Sequence, residues 1–209
     1  MKNLEEKLNV SRETLSELKT YQELLTEWQQ KFNLVSSASL SDAWNRHFLD
    51  SAQLVQFIPP SARTLIDFGS GAGFPALVLA VLTKNRTPYL KITLVESIRK
   101  KTLFLNEVCA KLNLQARIEN KRIENLSRQK FDVITSRAMC SLEKLLEYAA
   151  PFCHRDTVCI FPKGCSFQEE LSRAQLVFGF DCLVQPNQLS EDGKILIITN
   201  INKKGDTNA

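Results

Sequence analysis

Along residues 14–32 the apolar side chains Leu15, Leu18, Tyr21, Leu24, Leu25, Trp28 and Phe32 recur at steps of three and four, the spacing that lines one face of an α-helix. A second helical pattern opens near Ser41 and Asp42, whose oxygens can cap free N–H groups. It carries Trp44, Phe48, Leu54, Val55 and Phe57 and stops at Pro59-Pro60. Beyond residue 60 the period changes. Short apolar runs at 64–68, 92–95, 116–118, 133–135 and 157–161 alternate with helical segments at 75–82, 99–112, 141–150 and 167–177. That rhythm predicts a parallel sheet covered by helices on both faces. Residues 181–185 and 194–201 are joined by the turn-rich PNQLSEDG with no helix between them, so they should pair as an antiparallel hairpin. The predicted architecture is α/β: a doubly wound, mostly parallel sheet of seven strands over residues 61–202, closed by that hairpin. A helical extension (1–60) precedes it and a frayed tail (203–209) follows.

Composition narrows the classes without naming a chemistry. A chain of 209 residues that is 44% hydrophobic and 24% charged has room for one substantial core plus an appendage, not for two full domains. No apolar run reaches the length of a membrane span, and MKNLEEKLNVSRETL lacks a signal-peptide core, so the expectation is a cytoplasmic protein, a monomer, without membrane contact. The six cysteines form no C-x-x-C pair and sit mostly in apolar segments, which predicts buried free thiols. Cys153-His154 has no partner cluster, and no metal site is expected. Net charge is only +4, yet residues 84–130 hold twelve Lys/Arg against four Glu. Solvated helix faces explain such a cluster, and so does attraction to a polyanion.

The chemistry concentrates after the first strand. Gly69-Ser70-Gly71-Ala72-Gly73 joins strand to helix, and Pro75 fits the helix's first turn. Glycines there permit positive φ and let a ligand lie against bare backbone beside a helix N-terminus. The dinucleotide fingerprint G-x-G-x-x-G wants a third glycine or alanine where this chain has Phe74, which speaks against a nicotinamide oxidoreductase. A phosphate-binding P-loop is excluded, since no G-K-[ST] follows. Asp67-x-Gly-x-Gly-x-Gly resembles the first motif of class I S-adenosylmethionine-dependent methyltransferases. Glu96, at the end of the next strand, lies where an acid can accept hydrogen bonds from both ribose hydroxyls.

Several segments together resemble one family, the bacterial small-subunit ribosomal RNA guanine-N7 methyltransferases (RsmG type, also known as glucose-inhibited division protein B). They are Trp28 with Lys31-Phe32-Asn33-Leu34, the stretch Arg46-His47-Phe48-Leu49-Asp50-Ser51, the glycine loop through Phe74-Pro75, Glu96-Ser97 with Lys100-Lys101, Ser136-Arg137-Ala138, and Lys163-Gly164. The chain departs from the usual family pattern at Gln29, Val35, Ala76 and Glu96, the last standing where Asp is usual. The resemblance implies a Rossmann-like class I methyltransferase fold and S-adenosylmethionine as cofactor, contacted by Gly69, Gly71, Gly73, Phe74, Ile123, Glu124 and Arg137, with Glu96 on the ribose. It also implies transfer to N7 of a guanine in the 530 loop of 16S ribosomal RNA, as naked RNA or in a small-subunit particle.

Guanine N7 carries a lone pair and no proton, so its methylation needs no general base, and no catalytic proton-transfer residue is assigned. Reaching N7 in folded RNA requires an accessible base and a hold on its phosphates. The candidates are Arg46, His47, Lys100, Lys101 and Lys163. Other acceptors (another RNA, a small molecule or a protein) remain compatible with the same cofactor, and a noncatalytic RNA-binding module would leave the glycine loop and Glu96 without a purpose.

Overall fold

The sheet forms because each predicted apolar run extends and finds a parallel neighbour. In the computed structural model, which describes residues 10–205, seven strands stand in the order β3-β2-β1-β4-β5-β7-β6. They are β1 (Thr64–Phe68), β2 (Lys91–Val95), β3 (Ala116–Glu119), β4 (Phe131–Ser136), β5 (Cys153–Lys163), β6 (Phe178–Pro186) and β7 (Lys194–Lys203). β1 to β5 pair in parallel, whereas β7 is antiparallel to both β5 and β6. The chain moves outward from β1 to β3 and returns to β4 on the other side of β1, so the order reverses between β1 and β4. A crevice opens at such a reversal, outside the carboxyl ends of the strands. β7 completes the strand ladder through Lys203, inside the segment expected to fray, and residues 206–209 lie outside the described residues.

Side-chain alternation along the strands feeds two cores. Leu65, Ile92, Leu94, Val133 and Ile160 face one side, where α4 (Ala76–Thr83) and α5 (Arg99–Lys111) cover them. Ile66, Phe68, Ile134, Cys159, Phe161 and Ile198 face the other, under α6 (Leu142–Ala149) and α7 (Phe167–Val177). α4 is buried on every side, which is why the unbroken apolar run ALVLAVL replaces an amphipathic stripe there. The N-terminal helix α1 (Arg12–Gln29), capped by Ser11, lays Leu18, Tyr21 and Leu25 into the first core as an outer layer.

The second N-terminal helix departs from the regular one its pattern predicts. A short α2 (Ser37–Leu40) is followed by a π-helical turn (Trp44–Leu49), one α-helical turn, α3 (Asp50–Ala52), and a 3-10 stretch (Gln53–Phe57). Two features account for the wider turn. The Arg46 carbonyl accepts a hydrogen bond of 2.7 Å from Arg137 Nη1, just past the end of β4, and the Trp44, His47 and Phe48 rings pack inward, Phe48 edge-on to Tyr21 and Phe74. π-helical turns of this kind recur at functional sites.

The basic stretch of residues 84–130 does not form one patch. Lys91 begins β2, while Arg99, Lys100 and Lys101 open α5 beyond its other end, so the excess is shared between opposite edges of the sheet. Part of it is neutralised locally: Lys84 pairs with Glu17, and Arg117 and Lys121 both pair with Glu119. Among the described residues no helix is long and apolar enough to cross a membrane, and the six cysteines are free thiols.

Candidate active site at the carboxyl edge of the sheet

The three loop glycines all adopt positive φ, +65° at Gly69, +58° at Gly71 and +92° at Gly73, but for different reasons. A Cβ on Gly73 would stand 2.5 Å from the Tyr21 hydroxyl and 2.6 Å from Leu77, and one on Gly69 would stand 2.8 Å from Met139 Sδ. Those two positions are closed by the protein itself. At Gly71 nothing comes nearer than the Gly69 carbonyl at 3.8 Å, so of the three it alone has open space on the side where a Cβ would stand. Tyr21 locks the loop further by donating its hydroxyl proton to the Ala72 carbonyl.

Glu96 reaches the same loop. Its Oε2 accepts from Gly71 N–H at 2.9 Å and its Oε1 from Ile98 N–H at 2.8 Å, while Asn120 Nδ2 donates to the carbonyls of Glu96 and Ser97. The buried carboxylate therefore borders both the open glycine and the start of α5.

Beneath the loop, Asp67 is fully buried. The β1–β4 register sets it beside Thr135, whose hydroxyl donates to Oδ1 at 2.7 Å, and Oδ2 has no partner. Burial raises its carboxyl to about 7, against the opposing influence of its hydroxyl neighbours and Arg137. The buried, unpaired Oδ2 is an acceptor without a donor, next to a loop that borders the cleft.

Arg137, just past the end of β4, gathers the wall of the crevice. Its Nη1 donates to the Arg46 carbonyl at 2.7 Å and to Asp50 Oδ2 at 3.1 Å, and its Nη2 lies 2.8 Å from His47 Nδ1. Arginine has no acceptor, so Nδ1 accepts and the ring proton of neutral His47 sits on Nε2, which has no partner. Burial, then the Arg137 and Arg46 charges, hold the imidazole down at about 4. The ring stacks on Phe74 with centroids 4.8 Å apart.

These elements enclose a cleft of about 940 Å³, lined by Gly69, Gly71, Phe74, Arg46, His47, Asp50, Lys101, Arg137 and Lys163 among others. The sequence candidates are thus divided, with Gly73 packed against Tyr21 and Leu77 rather than on the cleft. Gly69, Gly71, Phe74, Arg46, His47, Lys101, Arg137 and Lys163 converge on the cleft, while Glu96 lies behind the loop. Ile123 is buried in the second core at a 3-10 turn after β3, with Glu124 exposed beside it and accepting from Tyr148. Lys100 stands over the Phe32 ring, 4.9 Å from its centroid, on the outside. Lys163 is also less free than its position suggests, because its ammonium donates to the Cys140 carbonyl and to Glu170 Oε2 at 2.8 Å.

Sequence reasoning missed Asp50, Asp67, Met139, Glu170 and Asn187 as site residues. Asp50 and Asp67 stood inside motifs already singled out and could have been marked. Glu170 and Asn187 carry no local signal, since only the fold brings them to the cleft, and Met139 acts by packing against Gly69 without lining the cleft.

Comparison with known proteins identifies the family and the fold. A family model described as rRNA small subunit methyltransferase G (GidB) matches residues 14–193. Proteins named ribosomal RNA small subunit methyltransferase G are 43% identical over 190 residues in Parvibaculum lavamentivorans (90% of this chain, 84% of the relative) and 38% identical over 196 residues in Rhodospirillum centenum (94% and 88%). Solved structures share the fold at low identity. A ribosomal protein L11 methylase from Lactobacillus delbrueckii subsp. bulgaricus superposes with a TM-score of 0.58 at 16% identity, over 73% of this chain and 77% of that one. A SAM-dependent methyltransferase from Aquifex aeolicus gives 0.58 at 13%, over 80% and 94%.

Proposed function

Because the chain belongs to the rRNA small subunit methyltransferase G family, we propose that it methylates N7 of a guanine in the 530 loop of 16S ribosomal RNA, acting as a cytoplasmic monomer on naked RNA or a small-subunit particle. The observation that carries the site assignment is Gly71: open space at the strand reversal, in the loop that follows Asp67, whose buried carboxyl has an unused oxygen.

The residues fit the donor in a definite order. Gly71 presents backbone to the amino-acid end, with Asp67 beneath it to meet the ammonium group. Gly69 and Gly73 keep the loop close to Met139 and Tyr21 and so shape that surface. Glu96 takes the ribose hydroxyls, for which its Oε2 must give up the Gly71 N–H. The turn at Ile123 and Glu124 borders the adenine. Arg137 and Phe74 hold the wall near the reacting methyl group.

When bound, S-adenosylmethionine would supply an electrophilic sulfonium methyl to the N7 lone pair, the C–S electron pair remaining on sulfur. No proton is removed, so the protein's task is alignment and exclusion of water. The cleft's ionisable groups accord with that. Asp50 is engaged by Arg137 and Glu170 by Lys163, and neutral His47 already spends its acceptor nitrogen on Arg137. Arg46 and Lys101, at the rim, supply charge for the flanking phosphates; Lys100 reinforces them from outside and Lys163 from the wall.

The test is transfer of a labelled methyl group to 16S RNA, 30S particles, unrelated RNA and free nucleosides, followed by cleavage mapping at 7-methylguanine. A single mapped guanine in the 530 loop is the expected result. Labelling of a different nucleotide, or of a small molecule in preference to RNA, overturns the acceptor assignment.

A further inference from the structure

The turn between β6 and β7 lies far from the glycine loop in sequence but forms part of the same cleft, through Asn187, Leu189, Ser190 and Gly193. Its tie to the N-terminal extension is specific. Asn187 Nδ2 donates to Asp50 Oδ1 at 2.8 Å, Gln53 Nε2 donates to Asn187 Oδ1 at 3.0 Å, and Gln188 N–H donates to Gln53 Oε1 at 3.0 Å. The other oxygen of Asp50 is held by Arg137. One carboxylate therefore joins the end of β4, the turn after the π-helical segment and the β6–β7 loop.

The loop is stiff within itself. Asn187 Oδ1 also accepts from Leu189 N–H at 2.8 Å, and Gly193 N–H donates to Ser190, so close that a Cβ on Gly193 would meet Ser190 at 3.0 Å. Its cleft-facing residues carry no charge, and Leu189 is 38% exposed, while the tip bears exposed Glu191 and Asp192. An uncharged, partly apolar surface suits the face or edge of an unstacked base, and an acidic tip repels phosphate. The phosphates are then left to Arg46 and Lys101, cationic side chains that line the same cleft.

Building on the methyltransferase reading, we propose that the 187–193 loop is the acceptor wall of the site, reading an unstacked nucleotide of the RNA, and that Asn187 and Gln53 are positioning residues that hold it there. The donor half of the site does not touch this network except through Arg137. Loss of the loop's anchors should therefore weaken RNA recognition and spare the donor.

The experiment compares wild type with Asn187→Ala and Gln53→Ala in KM for 16S RNA, in kcat, and in Kd for S-adenosylhomocysteine. Removing one or two hydrogen bonds that place the wall should raise the RNA KM by about tenfold, with kcat and the Kd within about twofold of wild type. Asn187→Asp, which sets a second carboxylate against Asp50, should raise KM at least as much. An equal loss of donor affinity overturns the proposal in favour of a support role for the donor site, and an unchanged RNA KM in both alanine variants overturns it outright. If wild type methylates no RNA, the underlying acceptor reading fails and the loop proposal falls with it. The two alanine variants act from opposite sides of the contact, so misfolding of one leaves the other to decide.

Discussion

The floor of the cleft and its outer wall are built in opposite ways. Gly69 to Phe74 follow one another in a single strand-to-helix turn, so their arrangement is settled by local backbone geometry once β1 and α4 exist. The wall is made of Arg137, Asp50, Gln53 and Asn187, and its longest hydrogen bond in sequence terms spans 137 positions. A local turn costs little chain entropy to close, whereas the wall forms only when three distant segments are already docked. Under the proposed function the contrast becomes a division of labour, with the donor on the floor and the acceptor against the wall. It also implies different failures, since loss of the open glycine should cost donor affinity, while damage to the wall should cost RNA recognition and, at Arg137, folding stability.

The largest effect is expected at Arg137. Arg137→Ala strands Asp50 Oδ2, His47 Nδ1 and the Arg46 carbonyl together, and breaking a largely buried pair of this kind costs about 3 kcal/mol. Arg137→Lys keeps the charge but not the fork, and should recover less than half of the loss. Urea unfolding measures both; a midpoint equal to wild type for the alanine variant would remove Arg137 as the keystone of the wall.

Next come the glycines, which test the contrast within the floor itself. Gly73→Ala drives a methyl group into Tyr21 and Leu77 and should cost about 2–3 kcal/mol. Gly71→Ala meets open space and should cost only the strain of a positive φ, about 1–2 kcal/mol, yet weaken binding of S-adenosylhomocysteine by about tenfold or more. Calorimetry alongside unfolding separates the two readouts. The floor loses its assignment if Gly71→Ala binds normally.

The last comparison is a pH dependence in which Asp67 and His47 pull in opposite directions. Asp67, held at about 7, keeps a proton that the unfolded chain has lost above about 4, so its contribution to stability is full at low pH and disappears as pH rises toward 7. His47, held at about 4, resists a proton that the unfolded chain takes up below about 6.5. Its contribution is present above that pH and disappears as pH falls toward 4. Relative to wild type, Asp67→Asn should become more stable on going from about pH 5 to about pH 8. His47→Gln should do so on going from about pH 7 to about pH 5. Flat difference curves for both would show that neither group is shifted.

How far the sequence could be read followed the same line. Strand runs, their alternation with helices and the terminal hairpin are short-range patterns, and each stands within a few residues of its expected bounds. The regular helix expected after residue 41 became a π-helical and 3-10 composite, because Arg137 claims the Arg46 carbonyl and three rings crowd inward. The basic excess of residues 84–130 looked like one patch in sequence but is divided between two edges of the sheet by the direction of β2.

What the sequence determined by itself was the kind of fold and the presence of a glycine loop after the first strand, since both are written in spacings of a few residues that backbone geometry obeys locally. Only the tertiary structure decided why each glycine is there. Met139 and Tyr21 exclude a side chain from two of them and leave Gly71 open. It also decided that Asp50 joins Arg137 to Asn187, because a carboxylate chooses partners by distance in space, and no periodicity along the chain encodes a meeting of residues so far apart in sequence.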